Sequence, residues 1–504
     1  MESALFDVPA EQLREAPKPV GGGRRFRALP AREQLYLAAR SVEEMVPPDD
    51  PVRMYDAIID ELDVSQFEAH YRGGGAPAFL PGYVLKLLVF AMAEGVRSAR
   101  ELSRVCRRDV RYMWLAHGVA VDHELFSDFR ALFGAQIEHI FGQTVLLGME
   151  AGLVTLRQVS VDGSKIAAHA KRKAYSAADL EELMKHLEAR AARILAAMAA
   201  QDAAEDSAEA AAQAEKLPAE LADVQRRQER LRQAKVALSE KGWDRISETD
   251  FEAPVQKTQD GKRPGYNAQF AVDADSGMVL CQELTDAQND THQLAPLLAG
   301  VVKNTGAKPD VVAADTGYQS ADSLAALEQG KFNGYVNQPQ AANEGRFGHE
   351  AFSYDAERDL YTCPEGHELP YKGIKKLRYD GCRVYRSSSK CCKQCPRRAE
   401  CISDKSSFRQ LVVAPHGEQV SAMRRKLKTD EGQAALKRRF ATIEPTFGVM
   451  KAVLGLRQFL LVGKEKAAIE LALAATAINL RKLASWASAG GSLSQLRRAP
   501  AMAA

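Results

Sequence analysis

Hydrophobic and polar positions repeat with a helical period through the first third of the chain. The clearest run follows a group of prolines, where apolar residues recur at steps of three and four: Val52, Tyr55, Ile58, Ile59 and Leu62. This spacing is typical of one face of an amphipathic helix. A second, strongly apolar helix is predicted to begin at Pro81, because proline favours the first helical position. We therefore predict an all-helical N-terminal domain over residues 31–150.

The pattern changes from helical repetition to alternation at residues 156–162. Val159 and Val161 alternate with polar residues and are followed by Asp162 and Gly163. Alternating β-branched residues predict a strand that ends at Asp162, where Gly163 would let the backbone turn. A carboxylate at the end of a buried strand is costly unless it is paired, hydrogen-bonded or bound to a cation. The competing interpretation is that Asp162 only starts a turn.

Residues 176–240 form a long insertion that is rich in Ala, Glu, Gln and Arg. Two apolar stripes run through it, and a polar break separates them. The first stripe includes Leu180, Leu187 and Ile194, and the second includes Leu221, Val224 and Leu231. This arrangement predicts an antiparallel helical hairpin that projects from the sheet. The alternative is a partly disordered linker.

Short strand and helix signals alternate after the insertion. Two strands form a predicted hairpin around Asp275-Ser-Gly, and a later continuous apolar run ends in a second acid, Asp315. Such a run is typical of a strand that is buried on both faces. From about residue 416 the pattern is helical again. Pro445 favours a helix start, which would place Glu444 at the mouth of a helix or at a kink. This order predicts an α/β mixed sheet with flanking helices, formed by residues 151–340 and 416–487.

Six of the eight cysteines fall within residues 341–415, a segment with few apolar residues. Clustering of this kind in an intracellular chain indicates a metal site more readily than a disulfide framework. A C-x2-C pair with two further thiols at loop distances provides the four ligands of a structural Zn²⁺ site. The predicted ligands are Cys363, Cys392, Cys395 and Cys401, with His367, Cys382 and Cys391 as substitutes. The alternative is a set of reduced thiols.

Composition limits the classes of function. The chain has 504 residues, which corresponds to two to four domains at about 150 residues each. Hydrophobic residues make up 46% and charged residues 27%, as in soluble globular proteins. The net charge is only +2, so a polyanionic partner must be bound by local patches. The sequence lacks an apolar run of the roughly 18 residues that span a membrane and lacks a signal-peptide pattern, so we expect a cytoplasmic location and no membrane partner.

Local basic patches are present at three places. Residues 1–30 contain Arg24, Arg25 and Arg27 after three glycines, which predicts a flexible basic arm or simply a disordered end. After a turn at Gly95, an Arg-rich segment fits the second helix of a helix-turn-helix-like DNA binder. Its candidate DNA contacts are Arg104, Arg107 and Arg108, and a later helix adds Arg424 and Arg425. The alternative for each patch is a solvated basic face. Residues 488–504 are predicted to be a disordered tail.

Three carboxylates stand out in the predicted core: Asp162, Asp315 and Glu444. Three such groups can hold two Mg²⁺ ions about 4 Å apart, which activate an attacking oxygen and stabilise the leaving oxygen of a phosphodiester displacement. Spacing alone does not select them, because Asp273, Asp275 and Asp310 compete for the same role. Lys165, close to Asp162, is a further candidate phosphate contact.

Several segments resemble the insertion-sequence DDE transposases, which have a ribonuclease H-like catalytic core. The N-terminal match is the helical segment at residues 79–97. The remaining matching segments are Val-Asp162-Gly-Ser-Lys-Ile, Gly265-Tyr-Asn-Ala-Gln-Phe-Ala-Val-Asp, Ala-Asp315-Thr-Gly-Tyr and Ile-Glu444-Pro-Thr-Phe-Gly-Val-Met-Lys451. Related transposases also carry a cysteine-rich insertion before the Glu. The resemblance runs over most of the chain and implies a transposase with a zinc-binding insertion.

The resemblance also implies roles for individual residues. Asp162, Asp315 and Glu444 correspond to the ligands of two Mg²⁺ or Mn²⁺ ions, and Lys451 corresponds to a contact with transposon-end DNA. Phe440 occupies the position of an Arg that many relatives carry, and Arg439, a candidate DNA contact, lies one residue before it. His169 stands where relatives are expected to have Asn.

The resemblance implies partners and a reaction as well. The expected partners are double-stranded DNA, as inverted-repeat ends and target, and further copies of the chain in a homodimer or a higher synaptic oligomer. The expected location is the bacterial cytoplasm, at the nucleoid when DNA is bound. Two other functions remain open: an inactive or repurposed DNA-binding protein, and a ribonuclease H-like nuclease without strand transfer.

Overall fold

The computed structural model describes residues 41–71, 78–202, 217–258, 261–338, 346–375, 381–413 and 417–491. The predicted basic arm at residues 1–30 lies outside this part of the chain, as does the predicted tail from residue 492 onward. No helix in the described ranges combines the length and the apolar character that crossing a membrane requires. The described residues form an α/β structure with mixed sheets.

The N-terminal part is helical, as predicted. Its helices are α1 Val42–Met45, α2 Pro51–Asp60, α3 Ser65–Glu68, α4 Pro81–Ala93, α5 Ala99–Val105, α6 Val110–Leu115, α7 His123–Leu132 and α8 Gly134–Glu150. Asp50 begins α2, because its side chain accepts a hydrogen bond from the Val52 amide at 2.9 Å. The prediction of a single Arg-rich helix after Gly95 is wrong in one respect. The segment is divided into α5 and α6, because the Asp109 side chain accepts a hydrogen bond from the Arg111 amide and begins a new helix.

The central sheet has six strands. They are β1 Val159–Ala167, β2 Val255–Thr258, β3 Gly261–Asp273, β4 Val279–Thr285, β5 Val312–Ala314 and β6 Gly334–Val336. The order is β2-β3-β1-β5-β6. β4 lies outside this order and pairs with β3, which also pairs with β2. β1 is antiparallel to β3 and parallel to β5, which is parallel to β6. The predicted mixed sheet is therefore confirmed.

Strand β1 differs from its prediction, because it continues through Asp162 to Ala167. All nine of its residues pair with β3, and Gly163 lies opposite Gln269. The long partner strand keeps β1 extended past the predicted turn. Gly163 is therefore a strand residue and not a turn residue.

Helices cover both faces of this sheet. They are α11 Leu294–Thr305, α12 Ala321–Gln329, α15 Gly417–Leu427, α16 Asp430–Gly448 and α17 Lys464–Ser488. α17 packs against α4, α8 and β4, and its core is a run of small and apolar side chains from Leu471 to Ala475 that are all buried. This helix connects the N-terminal helices to the sheet.

The predicted helix start at Pro445 is wrong. Pro445 lies inside α16, which begins at Asp430, where the Thr429 side chain accepts a hydrogen bond from the Gly432 amide at 3.2 Å. Proline removes one helical donor, but the helix continues because buried Phe447 stacks on Phe270 with 5.0 Å between ring centroids. Glu444 is therefore in the body of a helix. Five residues of π-helix, Val449–Val453, follow α16.

The predicted hairpin consists of α9 Ala177–Asp202 and α10 Leu217–Lys241. The ion pairs Lys235–Glu181 and Arg190–Glu220 show that the two helices run antiparallel. Their facing leucines and valines form a separate apolar cluster.

The cysteine-rich part forms a second sheet. All of its strand pairings are antiparallel, in the order β11-β10-β9-β8-β7. The strands are β7 Ser353–Asp355, β8 Leu360–Thr362, β9 Glu368–Lys375, β10 Cys382–Arg386 and β11 Gln410–Val413, with the short helices α13 Ser389–Gln394 and α14 Arg398–Cys401 between the last two.

Candidate functional site

The pairing of β1 with β5 brings Asp162 and Asp315 to the same edge of the central sheet. The last paired residues are Val161 and Ala314, and the two aspartates follow them directly. Parallel strands end at a common edge, and residues just beyond that edge are a usual place for a site. The structure therefore brings together two of the three predicted carboxylates.

A buried arginine from α16 lies between these two acids. Arg439 Nη2 is 2.9 Å from Asp162 Oδ2, and Nη1 is 3.9 Å from Asp315 Oδ1. Its Nε donates a hydrogen bond to the Val161 carbonyl oxygen at 3.1 Å. Only 7% of Arg439 is exposed, so the prediction that this residue contacts DNA does not agree with its buried position. The physical reason is that α16 packs against β1 and turns Arg439 inward.

Burial controls the charge of Asp162. It raises the pKa of this carboxyl to about 6, while the Arg439 guanidinium and the Gly163 amide oppose the rise and the charges of Asp315 and Asp290 add to it. The Gly163 amide donates to Asp162 Oδ1 at 2.8 Å. A carboxyl with a pKa near 6 exchanges protons readily close to neutral pH.

A fourth polar group at this edge, Asp290, was not predicted. It lies between β4 and α11, and its Oδ1 accepts hydrogen bonds from Asn267 Nδ2 and Gln269 Nε2, both at 2.6 Å. Lys165 Nζ is 3.5 Å from the same oxygen. In the sequence Asp290 belongs to a polar loop without periodicity, and only its position between a strand and a helix would have pointed to it.

Lys165 is therefore part of the interior of the site. Burial lowers the pKa of its ammonium group, and the adjacent Asp290 carboxylate opposes that effect. Lys451 lies on the π-helix after α16 and is partly buried. Burial and Arg457 lower the pKa of Lys451, while Asp162 raises it, which puts this lysine within the electrostatic range of the site.

Glu444 is exposed on α16, five residues after Arg439. Within the described ranges it makes no hydrogen bond or ion pair, to Asp162 and Asp315 or to any other residue. The described residues also contain no group of three or more His, Cys, Asp or Glu side chains arranged to hold a metal ion. Asp162 and Asp315 are thus linked through Arg439, and Glu444 has no such link within the described residues.

The other predicted DNA contacts lie on the surface. Arg104 is exposed on α5 and pairs with Glu101, and Arg107 and Arg108 are exposed in the turn after that helix. Arg424 and Arg425 are exposed near the end of α15.

Four predicted zinc ligands face one small cavity of about 20 Å³. Cys363, Cys392, Cys395 and Cys401 line it together with His367. The Cys363 thiol accepts from the His367 amide at 3.3 Å, and Cys392 Sγ lies 3.0 Å from Ser387 Oγ. Burial raises the pKa of the Cys401 thiol, and the other three thiols add to this rise. Cys382 and Cys391, two of the predicted substitutes, are not among the lining residues.

Two protein families match parts of the chain. The family described as Transposase DDE domain matches residues 362–484, a range that includes Arg439, Glu444 and Lys451. The family described as Transposase domain (DUF772) matches residues 40–132, which contain α1 to α7. No curated protein and no solved structure matches the chain.

Proposed function

From the two family matches, which support an insertion-sequence DDE transposase, we propose that the chain binds the ends of its element and catalyses metal-dependent DNA cleavage and strand transfer. The observation that carries this proposal is the pair of acids at the common edge of β1 and β5, next to the buried Arg439. Two carboxylates at one sheet edge concentrate negative charge, and carboxylate oxygens are ligands that divalent cations such as Mg²⁺ prefer.

We propose that the central sheet and its helices are a ribonuclease H-like core. The order in which the strands and helices are connected along the chain supports this proposal. Three strands, β1, β3 and β4, form an antiparallel unit, and two parallel strands, β5 and β6, extend it on the other side of β1. Helix α11 connects the two groups. Fold alone does not choose a reaction, so the proposal of activity depends on the site.

The donor atoms of the site suit divalent magnesium or manganese, because carboxylate oxygens are the ligands these ions prefer. We assign Asp162 and Asp315 as ligands, and we assign Glu444 as the third because its exposed side chain belongs to the same helix as Arg439. Two bound ions would supply activation of the attacking oxygen and stabilisation of the leaving oxygen. The positive charge of Arg439 offsets part of the negative charge of the two aspartates.

Local basic groups support a DNA partner. Lys451 lies within electrostatic range of Asp162, where it can offset the charge of a phosphodiester that approaches the acids. Arg104, Arg107 and Arg108 present exposed cations on the N-terminal helices, and Arg424 and Arg425 do so on α15. Contacts of this type bind phosphates without regard to sequence. We propose that inverted-repeat ends and target DNA are bound by a dimer or a higher oligomer.

We propose a structural zinc site from the four thiols that line one cavity, although the described side chains as they stand are not arranged around a metal ion. Four thiols around a small cavity are the donor set that Zn²⁺ favours, and the surrounding sheet has a small apolar core of its own. Bound zinc would stabilise this sheet and would fix the position of α14, which carries Cys401. We assign no catalytic step to it.

The deciding experiment incubates the purified chain with duplexes that carry the element's inverted repeats, a supercoiled target plasmid and Mg²⁺. The proposal predicts cleaved ends and joined products, and an Asp162→Ala variant that binds the ends normally but forms neither product. Cleavage without joining and without preference for the repeats would favour a nuclease. End binding without cleavage by the wild-type chain would favour a non-catalytic DNA-binding protein.

A further inference from the structure

Asp290 connects the two segments that carry the acids of the site. Its Oδ1 accepts from Asn267 and Gln269 on β3, at 2.6 Å each, and lies 3.5 Å from the ammonium group of Lys165 on β1. The side chain is 20% exposed, so this network is largely shielded from water. Three donors on one carboxylate oxygen are more than a surface turn requires.

The backbone on both sides leaves room for Asp290. A Cβ atom added to Gly163, the residue after Asp162, would overlap Gln269 Nε2, the nearest atom, and would lie 2.8 Å from Asp290 Oδ1. A Cβ atom added to Gly317, two residues after Asp315, would lie 2.9 Å from Asp290 Oδ2. All three distances are too short for real carbon contacts. The main chain next to each acid therefore lies against Asp290, and at Gly163 also against Gln269, which donates to Asp290.

A second chain of hydrogen bonds leads from Asp290 to Asp315. Gln269 donates to Asp290 and accepts a hydrogen bond from the hydroxyl of Tyr318. Tyr318 is fully buried in the 3-10 turn Thr316–Tyr318, and its amide donates to the Asp315 carbonyl oxygen at 3.1 Å. Asp290 is thus linked through Lys165 to the strand of Asp162, and through Gln269 and Tyr318 to the turn of Asp315.

We propose that Asp290 is a positioning residue, which fixes β1 and the turn after β5 relative to each other so that Asp162 and Asp315 can share divalent ions. This inference rests on the proposed function, since it concerns the metal that those two acids hold. Asp290 acts through its neighbours and is not itself assigned as a ligand. Partners of this kind, one step removed from a metal, typically affect metal affinity or activity by about 10–100-fold when they are changed.

Two variants test this role in different ways. Asp290→Asn keeps the size of the side chain and removes its charge. Gly317→Ala keeps every polar group and pushes on Asp290 through a methyl group. Asp286→Asn is the matched control, because Asp286 lies in the same connection but pairs with Lys464 at 3.3 Å.

The main measurement is the Mn²⁺ dissociation constant of the full chain, obtained from the electron paramagnetic resonance signal of free Mn²⁺. Thermal unfolding and single-turnover cleavage of end DNA are measured in parallel. We expect Mn²⁺ binding to weaken by about 10–100-fold in Asp290→Asn and Gly317→Ala, with Asp286→Asn unchanged. If Asp290→Asn does not fold, Gly317→Ala decides the question.

A folded Asp290→Asn or Gly317→Ala chain that binds Mn²⁺ as tightly as the wild type would overturn the inference. A purely structural role would lower the unfolding temperature and leave the affinity of the folded chain unchanged, which also overturns it. Failure of the proposed function has a different signature. In that case the wild-type chain does not cleave, and Asp162→Asn does not alter Mn²⁺ binding.

Discussion

Arg439 Nη2 lies 2.9 Å from Asp162 Oδ2, and the other terminal nitrogen of the same guanidinium lies 3.9 Å from Asp315 Oδ1. One buried cation thus interacts with two acids from neighbouring strands. Mutual repulsion of two carboxylates at one sheet edge is reduced by a positive charge between them. We interpret Arg439 as the internal countercharge that keeps the acids together, and divalent ions would compete with it for the same oxygens.

Removal of this cation should destabilise the fold. Arg439→Gln leaves a partly buried acid pair without its partner, and we expect the free energy of unfolding to fall by about 3 kcal/mol in the absence of divalent ions. Added Mg²⁺ should recover part of the loss. Urea unfolding with and without Mg²⁺ measures both effects. The control is Arg438→Gln, since Arg438 is exposed and pairs with Asp275 at the surface, where an ion pair is worth about 1 kcal/mol or less. Equal losses in the two variants would contradict the interpretation.

Stability in the absence of metal should depend on pH through Asp162. Its pKa is about 6 in the folded chain, raised mainly by burial, against about 3.9 in the unfolded chain. The folded state therefore binds more protons between these values. The contribution of Asp162 to stability is complete below about pH 4 and is lost as the pH rises through about 6, by at most about 1.4 kcal/mol per unit.

Urea unfolding at several pH values measures this dependence, and Asp162→Asn should remove it. A wild-type and a variant profile of the same slope between pH 4 and 6 would contradict the assignment.

Substitution of Glu444 should lower catalytic activity without lowering the stability of the fold. Because its side chain is exposed, Glu444→Gln is expected to change the free energy of unfolding by no more than about 0.5 kcal/mol. As a proposed metal ligand it should nevertheless lower single-turnover cleavage of end DNA by about 100-fold or more. Glu465→Gln, an exposed acid at the start of α17, is the control and should retain cleavage. Full cleavage by Glu444→Gln would remove this residue from the site.

The cysteine cavity should contain zinc. Elemental analysis of the purified chain is expected to give about one Zn²⁺ per chain, and Cys395→Ser should lose it. Cys391→Ser is the control, because Cys391 adjoins the cluster in sequence but does not line the cavity. A wild-type content below about half an equivalent would contradict the zinc assignment.

The elements that could be predicted from sequence are those whose pattern is local. The apolar run before Asp315 predicted a buried strand, and that strand is observed. The leucine stripes predicted the two helices of the hairpin. The thiol spacing predicted a group of four cysteines that do face one cavity.

The incorrect predictions depend on tertiary contacts that no local pattern contains. β1 runs past Asp162 because a longer partner strand pairs with it. Helix α16 runs through Pro445, although proline predicted a new start, because its buried face stays packed. Asp290 was missed because its partners come from two other strands. The inward direction of Arg439 likewise follows from the packing of α16 on β1.

The central claim is that Asp162 and Asp315 act as one site, and cleavage kinetics of the two single variants and their combination test it most directly. Single-turnover cleavage of end DNA in Mg²⁺ is measured for Asp162→Asn, Asp315→Asn and the double variant at equal DNA occupancy. When residues act as a unit, the effects of their single substitutions on the rate are strongly non-additive. We therefore predict that each single variant loses about as much activity as the double variant, with DNA binding preserved in all three. Substantial cleavage by either single variant, or losses that multiply in the double variant, would contradict the claim.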